Sequence, residues 1–209
     1  MCWDERTSWT TLAVGTTLNS LLIADLLRRN AYLESILILN WQFGLLMQIP
    51  EALIWRSNGH NESAIRLAFW LNILQPVFSF VTLFPFMSKR SRMFASAIVG
   101  IYLGYVVIKL NEFDTNVIND SCPHVSLVWW NDKRALLLYF VTSVAIMMTI
   151  PSPFLRNLML ALFFTSFAIT QTLYPCSYGS MWCWSIAVAG VLTYAFVRAH
   201  GSATKLLKR

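Results

Sequence analysis

The chain has 209 residues, of which 56% are hydrophobic and only 12% are charged, and its formal net charge is +6. A soluble globular domain is normally about 25% charged, so this composition excludes an ordinary soluble protein and predicts an integral membrane protein. The basic residues are scattered at the ends of apolar runs and form no patch with interleaved aromatic residues, so we expect no nucleic-acid partner. The partner predicted by composition is the lipid bilayer.

Seven apolar runs follow one another along the chain, and their hydrophobicity is continuous, which predicts helices and not barrel strands. Each run has about the 20 residues that a membrane crossing needs. The sequence therefore predicts an all-α, polytopic membrane protein, a seven-transmembrane-helix bundle that forms a single domain over residues 1–209. The fourth run carries Ser96, Gly100 and Gly104, a spacing of small residues that favours close helix packing. The predicted helices cover about 9–27, 31–55, 64–87, 93–110, 134–150, 154–174 and 181–199.

The distribution of charge predicts the orientation of this bundle. With the N-terminus outside and the C-terminus cytosolic, ten of the 16 basic residues fall on the cytosolic side, in the short loops where positive charge sets topology. Eight of the ten acidic residues then fall outside. The first apolar run follows an acidic segment without a basic n-region, so we expect no cleavable signal peptide. The predicted location is the plasma membrane or a membrane of the secretory pathway, with a viral membrane as an alternative.

Three further features fall on the predicted outer side. Two N-glycosylation sequons begin at Asn61 and Asn119. Eight of the nine tryptophans, Trp182 among them, lie near the outer boundary, as in an interfacial aromatic belt, while Trp41 lies at mid-depth. The cysteines can form disulfides in an oxidising exterior, in any of three pairings, or remain free buried thiols. The four cysteines are Cys2, Cys122, Cys176 and Cys183.

The second predicted helix carries polar residues at membrane depth. Gln48 and Glu51 lie in its outer half, on the same helix face as Trp41. Pro50 lacks a backbone N–H, so it predicts a kink and a carbonyl near Leu46 that needs another donor. Polar groups inside a membrane are expensive, and they predict either a functional site or hydrogen-bonded helix pairing.

The third predicted helix has a matching polar stripe, which contains Pro76. Because the loop before it is short, we expect the second and third helices to be antiparallel neighbours with facing polar stripes. The functional interpretation is an outward-facing polar cavity between them; the structural interpretation is interhelical hydrogen bonding. For Glu51, a salt bridge with Arg66, Lys109 or Arg56 is a further alternative. The predicted cavity residues are Glu51, Gln48, Asn72, Gln75 and Trp41.

Patterns of catalytic and cofactor-binding residues are missing. The last predicted helix has no lysine for a retinal Schiff base, and no glycine-rich phosphate loop occurs. The three histidines, His60, His124 and His200, are isolated, so no metal site is predicted. No intramembrane histidine or lysine can serve as the base for a serine nucleophile. We therefore expect neither enzyme activity nor a cofactor.

Met47, Gln48, Glu51 and Trp55 form the pattern M-Q-x-x-E-x-x-x-W in the second predicted helix. This pattern resembles one in small uncharacterised multi-pass membrane proteins of algae and large DNA viruses, and it covers about one helix of the seven. The resemblance implies a membrane protein and directs attention to the second helix. It implies no activity, because that family has no assigned one.

Two functional hypotheses follow from these patterns. The first is an ion channel or small-solute transporter, in which Glu51 attracts a cation or carries a proton and Gln48, Asn72 and Gln75 offer ligands to an ion or small solute. The second is a non-transporting receptor-like or structural protein, either a subunit of a membrane complex or a viral envelope component. The concentration of cysteines, sequons and tryptophans on one face favours the second hypothesis. A homo-oligomer is compatible with both.

Overall fold

The computed structural model describes residues 4–58, 61–110, 132–175 and 178–206, and within the last helix it describes the side chains of Trp182 and residues 185–200. All regular secondary structure in these residues is helical. A single 3₁₀ turn, Phe84–Phe86, follows the fourth helix. The helices are α1 Glu5–Arg28, α2 Tyr32–Leu45, α3 Gln48–Arg56, α4 Glu62–Leu83, α5 Lys89–Lys109, α6 Lys133–Met148, α7 Pro153–Leu173 and α8 Tyr178–Leu206.

Side-chain caps set the starts of several helices. Asp4 accepts a hydrogen bond from the backbone N–H of Thr7 at 2.6 Å, and Ser88 accepts one from Ser91 at 3.2 Å. Such caps satisfy the free N–H groups of the first turn. They lie in the polar segments before the apolar runs, which explains why α1 and α5 begin about four residues before the predicted positions. Apolar runs mark the membrane-facing part of a helix and not its full length.

The second predicted helix is broken into α2 and α3. Pro50 has no N–H to offer the carbonyl of Leu46, four residues earlier, and its ring crowds that carbonyl. The N–H of Ile49 donates to the Leu46 carbonyl instead, at 3.0 Å, in a tighter turn. The break therefore falls one turn before the proline, and the carbonyl that needed a donor is satisfied by the chain itself.

The broken helix is the central element of the bundle. In its most apolar stretch, Tyr32–Arg56 has 56% of the residues buried, whereas the corresponding share is 17–28% in the other four long apolar helices. α2 packs against α1, α4 and α8, and α3 packs against α1 and α4. The contacts of α2 and α3 with α4 confirm that the second and third predicted helices are neighbours.

Five helical segments in the described part of the chain are long and apolar enough to cross a membrane. Large apolar side chains on their outer faces are exposed, as at Leu21, Met93 and Ile108, where the exposed fraction is 63–68%. Apolar surface of this extent is compatible with contact with lipid. The fold is thus compatible with a multi-pass membrane protein, while seven crossings and the orientation stay predictions. The five segments are Glu5–Arg28, Tyr32–Arg56, Glu62–Phe86, Lys89–Lys109 and Pro153–Leu173.

The prediction of close packing through the small residues of α5 is wrong for its two glycines. A Cβ atom added at Gly100 or Gly104 meets no atom within 4 Å in the described structure. α5 packs through a different face, where Tyr102 donates a hydrogen bond from its hydroxyl to the Ile73 carbonyl at 3.1 Å. That carbonyl lies in the turn before Pro76, and α4 continues through this proline without a break.

Arg92 holds together the turn between α4 and α5. Its Nε donates to the carbonyls of Phe84 and Met87, its Nη2 donates to that of Pro85, and its guanidinium lies 4.9 Å from the centre of the Phe84 ring. Lysine cannot reproduce this fork of donors.

We expect Arg92→Lys to lower the free energy of unfolding by about 1 kcal/mol, measured by thermal unfolding in detergent. Arg90→Lys, two residues earlier in the same helix, is the control. Equal stabilities of the two variants would contradict the role of Arg92 in holding this turn together.

Candidate functional site

Gln48 and Glu51 form a buried polar pair at the start of α3. Both side chains have an exposed fraction of 0%, and Gln48 Nε2 donates to Glu51 Oε2 at 3.1 Å. The spacing of three residues places them on one helix face. Glu51 also lies in the first turn of α3, where the positive end of the helix dipole favours a carboxylate. The break before α3 thus places an ionisable group inside the core of the bundle.

A cavity of about 60 Å³ lies among α2, α4, α6, α7 and α8, and we call it the central cavity. Its wall combines residues of two apolar clusters, one containing Tyr139, Phe163 and Trp182 and the other containing Leu37 and Ile186. Among the residues that the structure describes, none of those in this wall is charged. Its polar or partly polar members are Asn40, Trp41, Gln75, Ser79, Tyr139 and Ser143.

Gln75 is the residue whose polar group is least satisfied in this wall. The hydroxyl of Tyr139 donates to Gln75 Oε1 at 2.6 Å. Gln75 Nε2 is buried and has no hydrogen-bond partner among the described residues. A Cβ atom added at Gly44 would lie 3.9 Å from this nitrogen. The amide oxygen of Gln75 therefore accepts a hydrogen bond, while its N–H donor has no partner among the described residues.

The structure separates the predicted cavity residues into two groups. Trp41 and Gln75 line the central cavity. Gln48, Glu51 and Asn72 are not part of its lining, and their exposed fractions are 0–2%. The cavity also has a largely apolar wall contributed by five helices, whereas the sequence predicted a polar cavity between two.

Sequence reasoning missed the contribution of α6 to the central cavity. Tyr139, Thr142 and Ser143 are all buried on this helix, and Tyr139 binds the amide of Gln75. Their spacing of three and four residues places them on one face. That face was visible in the sequence, but hydroxyl groups are less polar than the amide and carboxyl groups of the second helix, so it attracted no prediction.

The prediction that Trp182 belongs to an interfacial belt is wrong. Its exposed fraction is 3%, and its indole N–H donates to Ser166 Oγ at 2.7 Å. It stacks on Phe140 with ring centres 5.5 Å apart and meets Phe163 and Phe167 edge-on. Aromatic packing of this kind adds to the stability gained by burial, so a tryptophan near a helix end was drawn into the core.

Other polar side chains connect helices, as the structural interpretation predicted for such groups. Gln42 links α2 to α1, because its Nε2 donates to Thr16 Oγ1 at 2.9 Å and its Oε1 accepts from Asn19 Nδ2 at 3.0 Å. Asn40 Nδ2 donates to Thr82 Oγ1 on α4 at 3.2 Å. Three of the bundle helices are therefore joined by side-chain amides.

Trp41 connects α2 to α8 through one buried hydrogen bond, from its Nε1 to Thr193 Oγ1 at 3.0 Å. We expect a double-mutant cycle of Trp41→Phe and Thr193→Val to give a coupling of about 0.6 kcal/mol, the usual value for such bonds in membrane proteins. The cycle is measured by thermal unfolding in detergent. Strictly additive effects of the two substitutions would contradict a stabilising role for this bond.

The predicted partners of Glu51 differ in their surroundings. Arg66 is in an exposed ion pair with Glu62, in which Nη2 and Oε1 are 2.6 Å apart and the Arg66 side chain is 64% exposed. A charged group so well solvated contributes little to the core. Lys109 is the last residue of α5, and its pairing with Glu51 stays a prediction.

The predicted modification sites lie mostly outside the described residues. Asn61 is described, and its Oδ1 accepts from the backbone N–H of Ala64 at 2.9 Å as the cap of α4. Asn119 falls outside the described residues, so glycosylation and the disulfides stay predictions. Of the cysteines, Cys2, Cys122 and Cys176 fall outside as well, and Cys183 lies in α8 without a described side chain.

No protein-family model matches the chain, and neither the curated proteins nor the solved structures give a significant match. The resemblance of the Gln48 and Glu51 pattern to algal and viral membrane proteins therefore stays a prediction. Within the described residues, no three His, Cys, Asp or Glu side chains come together in a way that could hold a metal ion.

Proposed function

We propose that this protein is an integral membrane ion channel or small-solute transporter in which Glu51 is the ionisable group. The observation that carries this proposal is the complete burial of Glu51 beside Gln48, directly after the break in the central helix. Removing a carboxylate from water costs several kcal/mol even after relaxation. Ionisable residues in such positions commonly belong to ion or proton pathways, and transporters place their sites at broken helices.

The break offers a way for Glu51 to reach water. Leu46 and Met47 separate α2 from α3, and their backbone N–H groups make short-range bonds to the carbonyls of Phe43 and Gly44 at 3.2 Å. Bonds of this kind can rearrange locally while both helices stay intact. In the proposed cycle α3 tilts about this turn, and Glu51 exchanges a proton or binds a cation when exposed. Once its charge is neutralised, the Glu51 side chain returns to its buried position.

Flux into liposomes tests the proposal. Purified protein is reconstituted into vesicles that contain a pH-sensitive dye, and a pH gradient or a potassium or sodium gradient is applied. We expect a flux above that of protein-free vesicles for at least one of these ions. If every gradient decays at the rate seen in empty vesicles, an ion-conducting or proton-coupled function is contradicted.

A second candidate function is that of a non-transporting structural or receptor-like membrane protein. It is favoured by the closed state of the pair, since Gln48 and Glu51 have no exposed surface and the small central cavity does not include them. In that case Glu51 stabilises the contact between helices and takes no part in transport of an ion or solute. The absence of flux, together with a large loss of stability on Glu51→Gln, would support this second function.

A further inference from the structure

The central cavity is lined by a side chain with a hydrogen-bond donor that no described residue satisfies. Gln75 Oε1 accepts from the Tyr139 hydroxyl at 2.6 Å, and this bond orients the amide so that Nε2 is the free end. Buried N–H groups in proteins nearly always have a partner, from the protein or from a bound molecule. Gln75 lines the cavity and its Nε2 is buried, so a guest in the cavity can supply the missing partner.

The size and the wall of the cavity define which guest fits. Its volume is about 60 Å³, above the roughly 10–15 Å³ that a single water molecule needs and below the about 150 Å³ of a cavity that holds benzene. A charged guest is disfavoured, because none of the described residues that line the cavity is charged and an unpaired ion among apolar side chains is expensive. A guest must instead be small and uncharged, and it must offer an oxygen acceptor to Gln75.

We propose that the central cavity is a binding site for a small uncharged guest whose oxygen accepts a hydrogen bond from Gln75 Nε2. Two sources share this chemistry: water, and a neutral amide or alcohol no larger than formamide or methanol. The site is distinct from the Gln48 and Glu51 pair. The proposal of this site does not depend on whether the protein conducts an ion, so a negative flux assay does not bear on the site.

The side-chain amide of Gln75 is a direct reporter of the guest. The chain has four glutamines, so selective ¹⁵N labelling gives few side-chain signals, and the Gln75 signal is the one lost in Gln75→Leu. If that variant does not fold, the signal is assigned by elimination from single substitutions of the other three glutamines. In one arm, magnetisation transfer from water to this amide is measured; in the other, formamide and methanol are titrated.

Gly44→Ala is the variant that fills the site. Its added Cβ would lie 3.9 Å from Gln75 Nε2 and 2.9 Å from Ile186 Cδ1, so it takes space beside the amide. Gly100→Ala is the matched control, because nothing lies within 4 Å of its added Cβ in the described structure. We expect at least a tenfold weaker response to the guest in Gly44→Ala and an unchanged response in Gly100→Ala.

The outcomes separate the two sources and can overturn the proposal. Transfer from water without a saturable shift by either solute identifies water as the guest. A saturable shift by formamide or methanol that is lost in Gly44→Ala identifies a neutral solute. Neither transfer nor shift in the folded protein, or an equal response in Gly44→Ala, contradicts the site. An equal saturable shift by potassium chloride contradicts its selection for uncharged guests.

Discussion

Glu51→Gln should abolish the ion or proton flux of the reconstituted protein while leaving the fold intact. The substituted side chain has nearly the same shape, and its amide oxygen can still accept the hydrogen bond that Gln48 Nε2 now donates to Glu51 at 3.1 Å. What it loses is the ability to bind and release a proton or to neutralise a cation. A flux reduced to the level of empty vesicles is expected, measured with the pH-sensitive dye in liposomes.

Two matched variants sharpen this prediction. Glu51→Asp keeps the charge but shortens the side chain, and should retain a reduced flux. Glu62→Gln removes a carboxyl group that is 59% exposed in its ion pair with Arg66, and should leave the flux unchanged. Thermal unfolding of each variant in detergent confirms that it is folded. Wild-type flux in a folded Glu51→Gln variant would contradict the role of Glu51 as the ionisable group required for flux.

Gly190→Ala should produce the largest loss of stability among the single substitutions considered. An added Cβ at Gly190 would clash with Asn19 Oδ1, and Asn19 is itself fully buried and bound to Gln42. Crowding of this kind usually costs about 1–3 kcal/mol, offset in part by the better helix propensity of alanine, about 1 kcal/mol. We expect a net loss of up to about 2 kcal/mol, which for a chain of this size lowers the unfolding temperature by up to roughly 8 °C.

A double substitution tests the cause of this loss. Asn19→Ala removes the atoms that Gly190→Ala would meet, so the double variant should be more stable than the sum of the two single effects predicts. Gly104→Ala is the control, because its added Cβ meets no described atom within 4 Å. Additive effects in the double variant, or equal losses for Gly190→Ala and Gly104→Ala, would show that contact between α1 and α8 is not responsible.

The helical bundle could be predicted because membranes impose a simple rule on sequence. Continuous apolar runs of sufficient length must be helical there, and five of the predicted helices correspond to segments of adequate length in the described structure. The starts of α1 and α5 were set too late, since Asp4 and Ser88 cap them from within polar segments. Apolarity alone does not record such caps.

The sequence predicted that Pro50 would disturb the central helix, but not that the helix would be interrupted or which group would bond to the Leu46 carbonyl. Pro50 pointed to the carbonyl of Leu46 as the atom in need of a donor, but the donor is the N–H of Ile49 from the same turn. Whether a proline kinks a helix or interrupts it depends on the packing around it. α4 illustrates the opposite outcome, because it continues through Pro76.

The central cavity could be predicted only in part. Trp41 and Gln75 belong to it, whereas Glu51 and Gln48 do not line it. Polarity indicated which residues are unusual, but the sequence does not state which helices lie opposite each other. The positions of α6, α7 and α8 decide the wall, and long-range packing placed Tyr139 against Gln75 and Trp182 against Phe140.

Infrared difference spectroscopy of Glu51 tests the central claim most directly. The claim is that this buried carboxyl group exchanges protons with water, and a protonated carboxyl group has its own carbonyl stretching band. We predict that wild-type protein in lipid films shows such a band when the pH is stepped, that the band shifts in D₂O, and that it is missing in Glu51→Gln. Identical difference spectra for the two proteins at every pH, or a wild-type band that does not shift in D₂O, would contradict the claim.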